Sequence, residues 1–242
     1  MWRSMIKVMA ATAAFGVVHS ALASRTAKRA AASAFGERNR NGLYRVFYIT
    51  QSLVTFAALA AYIRRQPGRE LYRVEGPLAV GMQAAGAVAV AYATSAAVQV
   101  GIRRITGLES LVAWLGDGSV PPEPEAQGPA LDEEGRRRAA GPFAWSRHPL
   151  NFVPLPIFWL RPRMTTNLLA FNTAATVYLV VGSLHEETRL RAAFGEAYEA
   201  YRTSGVPFYV PGPSRGGPQD AMAEVPARHA VVGTARKGEA KL

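Results

Sequence analysis

The sequence predicts an all-α fold: a polytopic membrane helical bundle of about five transmembrane helices, with a C-terminal re-entrant hairpin and a cytoplasmic helix. Three observations carry this. The chain of 242 residues is 49% hydrophobic and only 19% charged, a balance unusual for a soluble domain. Its apolar residues are gathered in runs of about 20, the length a helix needs to cross a hydrocarbon core of about 30 Å. Its net charge of +11 comes largely from basic residues placed between those runs, where they suit a membrane surface better than nucleic acid. The expected partners are therefore membrane lipids, with no nucleic acid. Cysteine is absent, which excludes disulfides, thiolate metal sites and a cysteine nucleophile.

Residues Met5 to Ala23 read as a first span. Ala21-Leu22-Ala23 before Ser24 looks like a signal-peptidase site. His19-Ser20, however, interrupts the apolar core where a cleaved leader is cleanest, and further spans follow. A histidine at membrane depth is costly unless it faces a cavity or a partner, so His19 is either a functional residue or a hydrogen-bonding contact to a neighbouring span. Ser24 to Arg45 is basic and Ala-rich, and reads as a surface-lying amphipathic segment followed by a loop. Leu43 to Ile63 is a second span with Tyr44, Tyr48 and Tyr62 as interfacial anchors. Pro77 to Gly101 is a third, whose small residues suggest a place inside the bundle.

From Ile102 to Ala140 the pattern breaks into a short apolar turn (Leu108 to Leu115), a Pro- and Glu-rich stretch and Arg136-Arg137-Arg138, together a cytoplasmic linker expected to be partly disordered. Leu150 to Leu160 is apolar but holds Pro154 and Pro156, and covers about half of the hydrocarbon thickness; it is expected to be a broken or re-entrant piece shielded by protein. Arg161-Pro162-Arg163 turns the chain and Thr166 to Leu184 returns. Glu187, Leu190, Phe194, Tyr198 and Tyr201 then recur at helical spacing along one face. The expected organisation is a three-helix membrane part over 1–101, the linker over 102–140, a catalytic cofactor-binding core over 141–210 and a disordered tail over 211–242. With five crossings and a cytoplasmic C-terminus, 20 of the 28 Lys and Arg residues fall on the inner side, as the positive-inside rule requires of an inner-membrane protein.

Chemically capable residues concentrate in the 141–210 segment. Arg147-His148-Pro149 places a forked donor and a titratable group before a proline-initiated helix whose free N–H groups attract an anion. Glu186-Glu187 lies at the end of the returning helix, close in space to His148 once the hairpin closes. With Tyr198 and Tyr201, these residues suit a ligand that carries both positive and negative groups.

The string Gly-Pro-Phe-x-x-x-Arg-His-Pro, a hairpin, then Glu-Glu-x-x-Leu, Phe-Gly-x-x-Tyr-x-x-Tyr and Val-Pro resembles the C-terminal core of the isoprenylcysteine carboxyl methyltransferase superfamily, over about seventy residues. His19-Ser20, Leu43-Tyr44-Arg45 and Pro162-Arg163-Met164-Thr165 look like the methanethiol S-methyltransferase branch and its NnrU-type relatives. The resemblance implies methyl transfer from S-adenosyl-L-methionine to a small thiol or lipophilic nucleophile. It places His148, Pro149, Leu150, Asn151, Glu186, Glu187, Arg189, Tyr198 and Tyr201 around the cofactor, with Arg147, His148 and Glu187 as the catalytic candidates and no metal. Many members have tyrosine where this chain has Asn151. NnrU-type proteins also resemble zeta-carotene isomerase, so His19 and His185 as axial ligands of haem b form a second reading, as an isomerase or denitrification-associated protein. A non-enzymatic membrane scaffold is a third.

Overall fold

The computed structural model describes residues 2–116, 119–122, 128 and 140–214. Four of its helices are long and apolar enough to cross a membrane: α1 (Trp2–Ala23), α3 (Glu37–Arg65), α4 (Gly76–Val100) and α9 (Thr166–Thr203). A short surface helix, α2 (Arg25–Phe35), lies between the first two. It begins at Ser24, whose hydroxyl caps the Ala27 N–H at 3.2 Å. Gly36, at φ 83°, is the whole connection to α3. The loop expected before residue 45 is absent, and the second spanning helix starts some six residues earlier than the hydropathy suggested, because Glu37 to Asn41 extend it as a polar first turn.

The frame is built on α9. Its apolar part packs on α1, and Val8, Leu59, Ile63, Ala170, Phe171 and Ala175 form a buried core to which Phe158 adds. Gly16 lets α1 and α9 meet: a Cβ there would stand 2.7 Å from the Tyr178 ring. Tyr44 and Tyr48 do not serve as interfacial anchors. They are buried between helices, with the Tyr44 hydroxyl donating to Leu22 O at 2.8 Å and the Tyr48 hydroxyl bonded to His19. Tyr62 is exposed.

Helix α4 stands at the edge rather than inside the bundle: only 6% of its most apolar window is buried. Small side chains permit close packing but do not compel it. One face of α4, at Ala96 and Val100, meets Phe143 and Leu150, and the rest turns outward to lipid. After α5 (Ile102–Thr106) and α6 (Leu108–Leu115), most of the rest of the linker expected to be partly disordered, residues 117–118, 123–127 and 129–139, lies outside the described residues, as does all of the tail beyond Ser214.

The chain resumes in a 3-10 turn (Gly141–Ala144). It then crosses beside α4 and antiparallel to α9 as two pieces, α7 (Pro149–Phe152) and α8 (Pro154–Trp159). Pro154 and Pro156 supply no N–H and their rings obstruct the preceding turn, so the leg breaks as expected. It is shielded by protein on the α9 side, where Asn172 donates to the Phe158 carbonyl at 2.8 Å and the Trp159 indole to Thr176 at 3.0 Å. The leg runs the full depth of the bundle: past Trp159 it enters β2 (Arg163–Thr165), which pairs antiparallel with β1 (Glu70–Arg73) from the α3–α4 connection. This ribbon was not foreseen, since each strand is too short to show an alternating pattern. It marks one end of the bundle; the residues of the 141–210 segment gather at the other.

Gly16→Ala is expected to lower the thermal unfolding midpoint in detergent through an overpacking cost of about 1–3 kcal/mol, because the Tyr178 ring must shift. Gly81→Ala, where nothing lies within 4 Å, is expected to leave the midpoint unchanged or raise it.

Candidate active site

At the end opposite the ribbon, the turn before α7 is fixed first. Ser146 is fully buried; its hydroxyl donates to Tyr209 O at 2.7 Å and accepts the His148 N–H at 3.1 Å. His148 enters Pro149 at φ −125° and ψ 55°, outside the helical region but short of the extended conformation a residue before proline prefers. Arg147 and His148 then turn their side chains toward α9.

The Arg147 guanidinium donates from Nε to Glu187 Oε1 at 2.7 Å, and from Nη1 to the carbonyls of Val206 at 2.9 Å and Arg202 at 3.3 Å. Its face lies 5.6 Å from the Phe208 ring centroid. His148 is buried, with Nδ1 3.4 Å from Glu186 Oε2 and Nε2 3.4 Å from Glu187 Oε1. Nε2 makes no hydrogen bond, which leaves a buried polar atom facing the carboxylates. Glu187 also accepts the Tyr198 hydroxyl at 3.1 Å and has Arg191 at 3.5 Å. Asn151 donates to Ser183 and to Glu186, each at 3.0 Å. Tyr201 donates to the Phe143 carbonyl at 2.6 Å.

These groups surround a cavity of about 120 Å³, whose lining includes Arg147, His148, Pro149, Leu150, Asn151, Glu186, Tyr198 and Tyr201, with Val100, Phe143 and Leu190 as apolar walls. Among the described residues of the three N-terminal spans, α4 alone contributes to the lining, through Val100. Burial opposes charge on both central groups, and their neighbours outweigh it. Facing Glu186 and Glu187, the His148 imidazole is held above the usual histidine range. Glu187, beyond the apolar part of α9, is held down to about 2 by His148 and Arg147.

Three expectations change. The helix end offered to an anion is only four residues long and carries no useful dipole, so the positive side of the site is Arg147 and His148 themselves. Neither Arg189 nor Glu187 is among the cavity residues: the Arg189 Nη1 donates to Ala23 O at 3.4 Å, and Glu187 lies behind the lining as the partner of Arg147 and His148. The face from Glu187 to Tyr201 is not one straight helix: Gly195, at φ 52° and ψ −128°, breaks it. In an unbroken helix Glu187 and Tyr198 would be about 16 Å apart along the axis, and the break folds Tyr198 back onto the carboxylate. Sequence reading missed Ser146, Ser183, Phe208 and Tyr209. Ser183 was detectable, since it lies one turn before Glu186 and Glu187 on their face.

The two histidines of the haem reading are placed differently. His19 is bonded to Ser52 through Nδ1 at 2.9 Å and to Tyr48 through Nε2 at 2.5 Å, so both ring nitrogens already have partners on α3. His185 is exposed on α9.

Fold and site together define a multi-pass helical membrane protein that brings a buried arginine, a histidine and two carboxylates to one end of its bundle. Within that class the chain is similar to methanethiol S-methyltransferases. It is 38% identical over 73 residues to the protein of Mycobacterium tuberculosis, covering 30% of each chain. It is 39% identical over 69 residues to that of Crocosphaera subtropica, 28% of this chain and 27% of the relative. It is 45% identical over 65 residues to methanethiol S-methyltransferase 2 of Bradyrhizobium diazoefficiens, 27% of this chain and 25% of the relative. The aligned stretch thus spans less than a third of these curated relatives, and it supports the resemblance to the isoprenylcysteine carboxyl methyltransferase superfamily. No family model and no solved structure matches the chain.

Folding favours protonated His148, so its contribution to stability is complete below the ordinary value of 6.5 and is lost as pH rises through the raised folded value. The contribution of Glu187 is complete above 4.5 and is lost as pH falls toward about 2. Melting midpoints in detergent are expected to be highest between 4.5 and 6.5 and to fall on both sides. His148→Gln should remove the alkaline fall and keep the acid one.

Proposed function

We propose that the protein is an inner-membrane methyltransferase that uses S-adenosyl-L-methionine and acts on a small thiol or lipophilic nucleophile. The observation that carries this reading is the meeting of Arg147, His148 and Glu186 around one cavity, with Glu187 behind them as the partner of the arginine and the histidine, in a chain that shares a stretch of sequence with methanethiol S-methyltransferases. The residues fit the group chemically. The Arg147 guanidinium suits a carboxylate, while Glu186 and the Tyr198 and Tyr201 rings suit an ammonium and a sulfonium.

When bound, adenosylmethionine supplies a methyl group on a positively charged sulfur. The work left to the chain is alignment and exclusion of water. Val100, Phe143, Leu150 and Leu190 give the cavity its apolar wall, against which a thiol or another apolar nucleophile would lie. His148 Nε2, when unprotonated, is placed to take a proton from the nucleophile, and Glu187 is placed to stabilise the resulting imidazolium. By the distribution of basic residues the site end faces the cytoplasm, and the C-terminus with it.

Haem b between His19 and His185 would require His19 to give up Tyr48 or Ser52, and His185 to turn inward from the surface. Protein purified in detergent is expected to bind adenosylmethionine in a calorimetric titration, with His148→Ala and Glu187→Ala each weakening binding at least tenfold. Unaltered affinity in both variants would overturn this assignment of the pocket. A Soret band in protein from haem-replete cells, lost on His19→Ala, would favour the haem reading instead.

A further inference from the structure

The cavity of about 120 Å³ is small for the ligand proposed for it, since sites that bury drug-sized molecules hold about 300–1,000 Å³. Some part of its wall has to move. Pro149, Leu150 and Asn151 belong to the leg that is tied to α4 and α9, Val100 belongs to α4 with Phe143 packed against it, and Glu186 and Leu190 belong to the long part of α9, to which Arg147 and His148 are held through the two carboxylates. Apart from Gly128 of the linker, the lining that remains, Tyr198 and Tyr201, belongs to the chain after Gly195.

This segment has the properties of a hinged cover. At its base Gly195 holds a backbone conformation that side chains avoid, and a Cβ there would meet nothing within 4 Å, so the pivot is unobstructed. A second left-handed glycine, Gly205 at φ 82°, turns the last helical residues into an extended strap. That strap lies over the Trp145–Asn151 turn: Arg147 N donates to Pro207 O at 2.9 Å, Gly212 N to Trp145 O at 3.0 Å, and the Tyr209 hydroxyl to Asn151 O at 2.7 Å. Its buried apolar residues, Tyr198, Tyr201 and Val206, form a small cluster with Leu190 and Phe194 that shares no residue with the bundle core. Such a unit can open without disturbing the membrane part.

On the reading given under Proposed function, we infer that residues 196–212 are a lid, pivoting at Gly195, that lifts to admit adenosylmethionine and re-docks to complete the site. Docking returns Tyr198 to Glu187 and brings the Phe208 ring against His148, at 5.2 Å between centroids. It also returns the carbonyls of Val206 and Arg202 to Arg147. Re-docking therefore places an aromatic ring on the histidine and restores the partners of the arginine in one movement. Phe208 acts through His148 and Arg147, as a positioning residue.

Two measurements test the lid. The chain has no cysteine, so Trp145→Cys with Gly212→Cys gives a single possible disulfide across backbones that are already hydrogen-bonded. Oxidation is expected to slow adenosylmethionine association at least tenfold, with full recovery on reduction and no effect of oxidant on either single variant. Equal association rates in the oxidised and reduced forms would overturn the lid. Hydrogen exchange on ligand-free wild-type protein reads it without the cofactor. The amides of Arg147 and Gly212, both bonded across the strap, are expected to exchange together and at least tenfold faster than those in the middle of the α9 span. Exchange no faster than that span overturns the lid whatever the ligand. Concerted strap exchange in a protein that binds no adenosylmethionine leaves the lid standing and removes the cofactor reading.

Discussion

The contact on which most else depends is the ion pair of Arg147 with Glu187, whose side chains are 11% and 8% exposed. A charge so placed is costly without a partner, and removing either member of a buried pair costs about 3–5 kcal/mol. Here the two charges also satisfy most of their surroundings: the guanidinium takes two further carbonyls, and the carboxylate takes a phenol and faces a histidine. Three stretches distant in sequence are joined by it: the turn before α7, the middle of α9 and the strap after Gly205. Forming this end of the fold and forming the site are the same event.

The two ends of the bundle are built differently. At the ribbon end, polar groups serve connection. Arg163 pairs with Glu70, the Thr166 N–H donates to Arg69 O at 2.9 Å, and Asn167 reaches Gln66 O at 2.8 Å. At the other end the polar groups face a cavity, and one of them, His148 Nε2, has no hydrogen bond. Asn167 Oδ1 at the ribbon end is unbonded too, so what sets His148 apart is its place on the cavity wall, with Glu187 Oε1 3.4 Å from Nε2. Between the ends, His19 shows how a costly intramembrane group is made tolerable: Tyr48 and Ser52 take both ring nitrogens, and Phe15 stacks on the ring at 5.6 Å.

Much of this was legible in the sequence because strong physical constraints leave simple patterns. Run length gave the spans, and two prolines in an apolar run gave the broken leg. The approach of Arg147-His148 to Glu186-Glu187 followed from hairpin closure alone. What did not show was set by tertiary contacts that leave no period. Alanine and glycine in α4 are as compatible with lipid as with a neighbouring helix, so burial could not be read from them. Arg189 lies one turn after Glu186, but its long side chain runs to the Ala23 carbonyl of α1, a contact that spacing does not show. Gly195 is a single residue inside an otherwise helical pattern, and only the fold shows that it reverses the direction of the aromatic face. Phe208 and Tyr209 sit in a strap without regular structure, where sequence periodicity has nothing to report.

The β1–β2 ribbon has a consequence for how the protein reaches its final form in the membrane. Glu70 must wait for Arg163, a residue 93 positions later in the chain, and α1 must wait for α9, its principal packing partner. During synthesis the first three crossing helices therefore emerge with their mutual contacts incomplete, and α4 has no leg to rest against. The last hairpin acts as a keystone. Its arrival pairs the ribbon, fills the groove beside α1 and brings Arg147 to Glu187, so a chain halted before residue 163 has neither its far-end clasp nor its pocket.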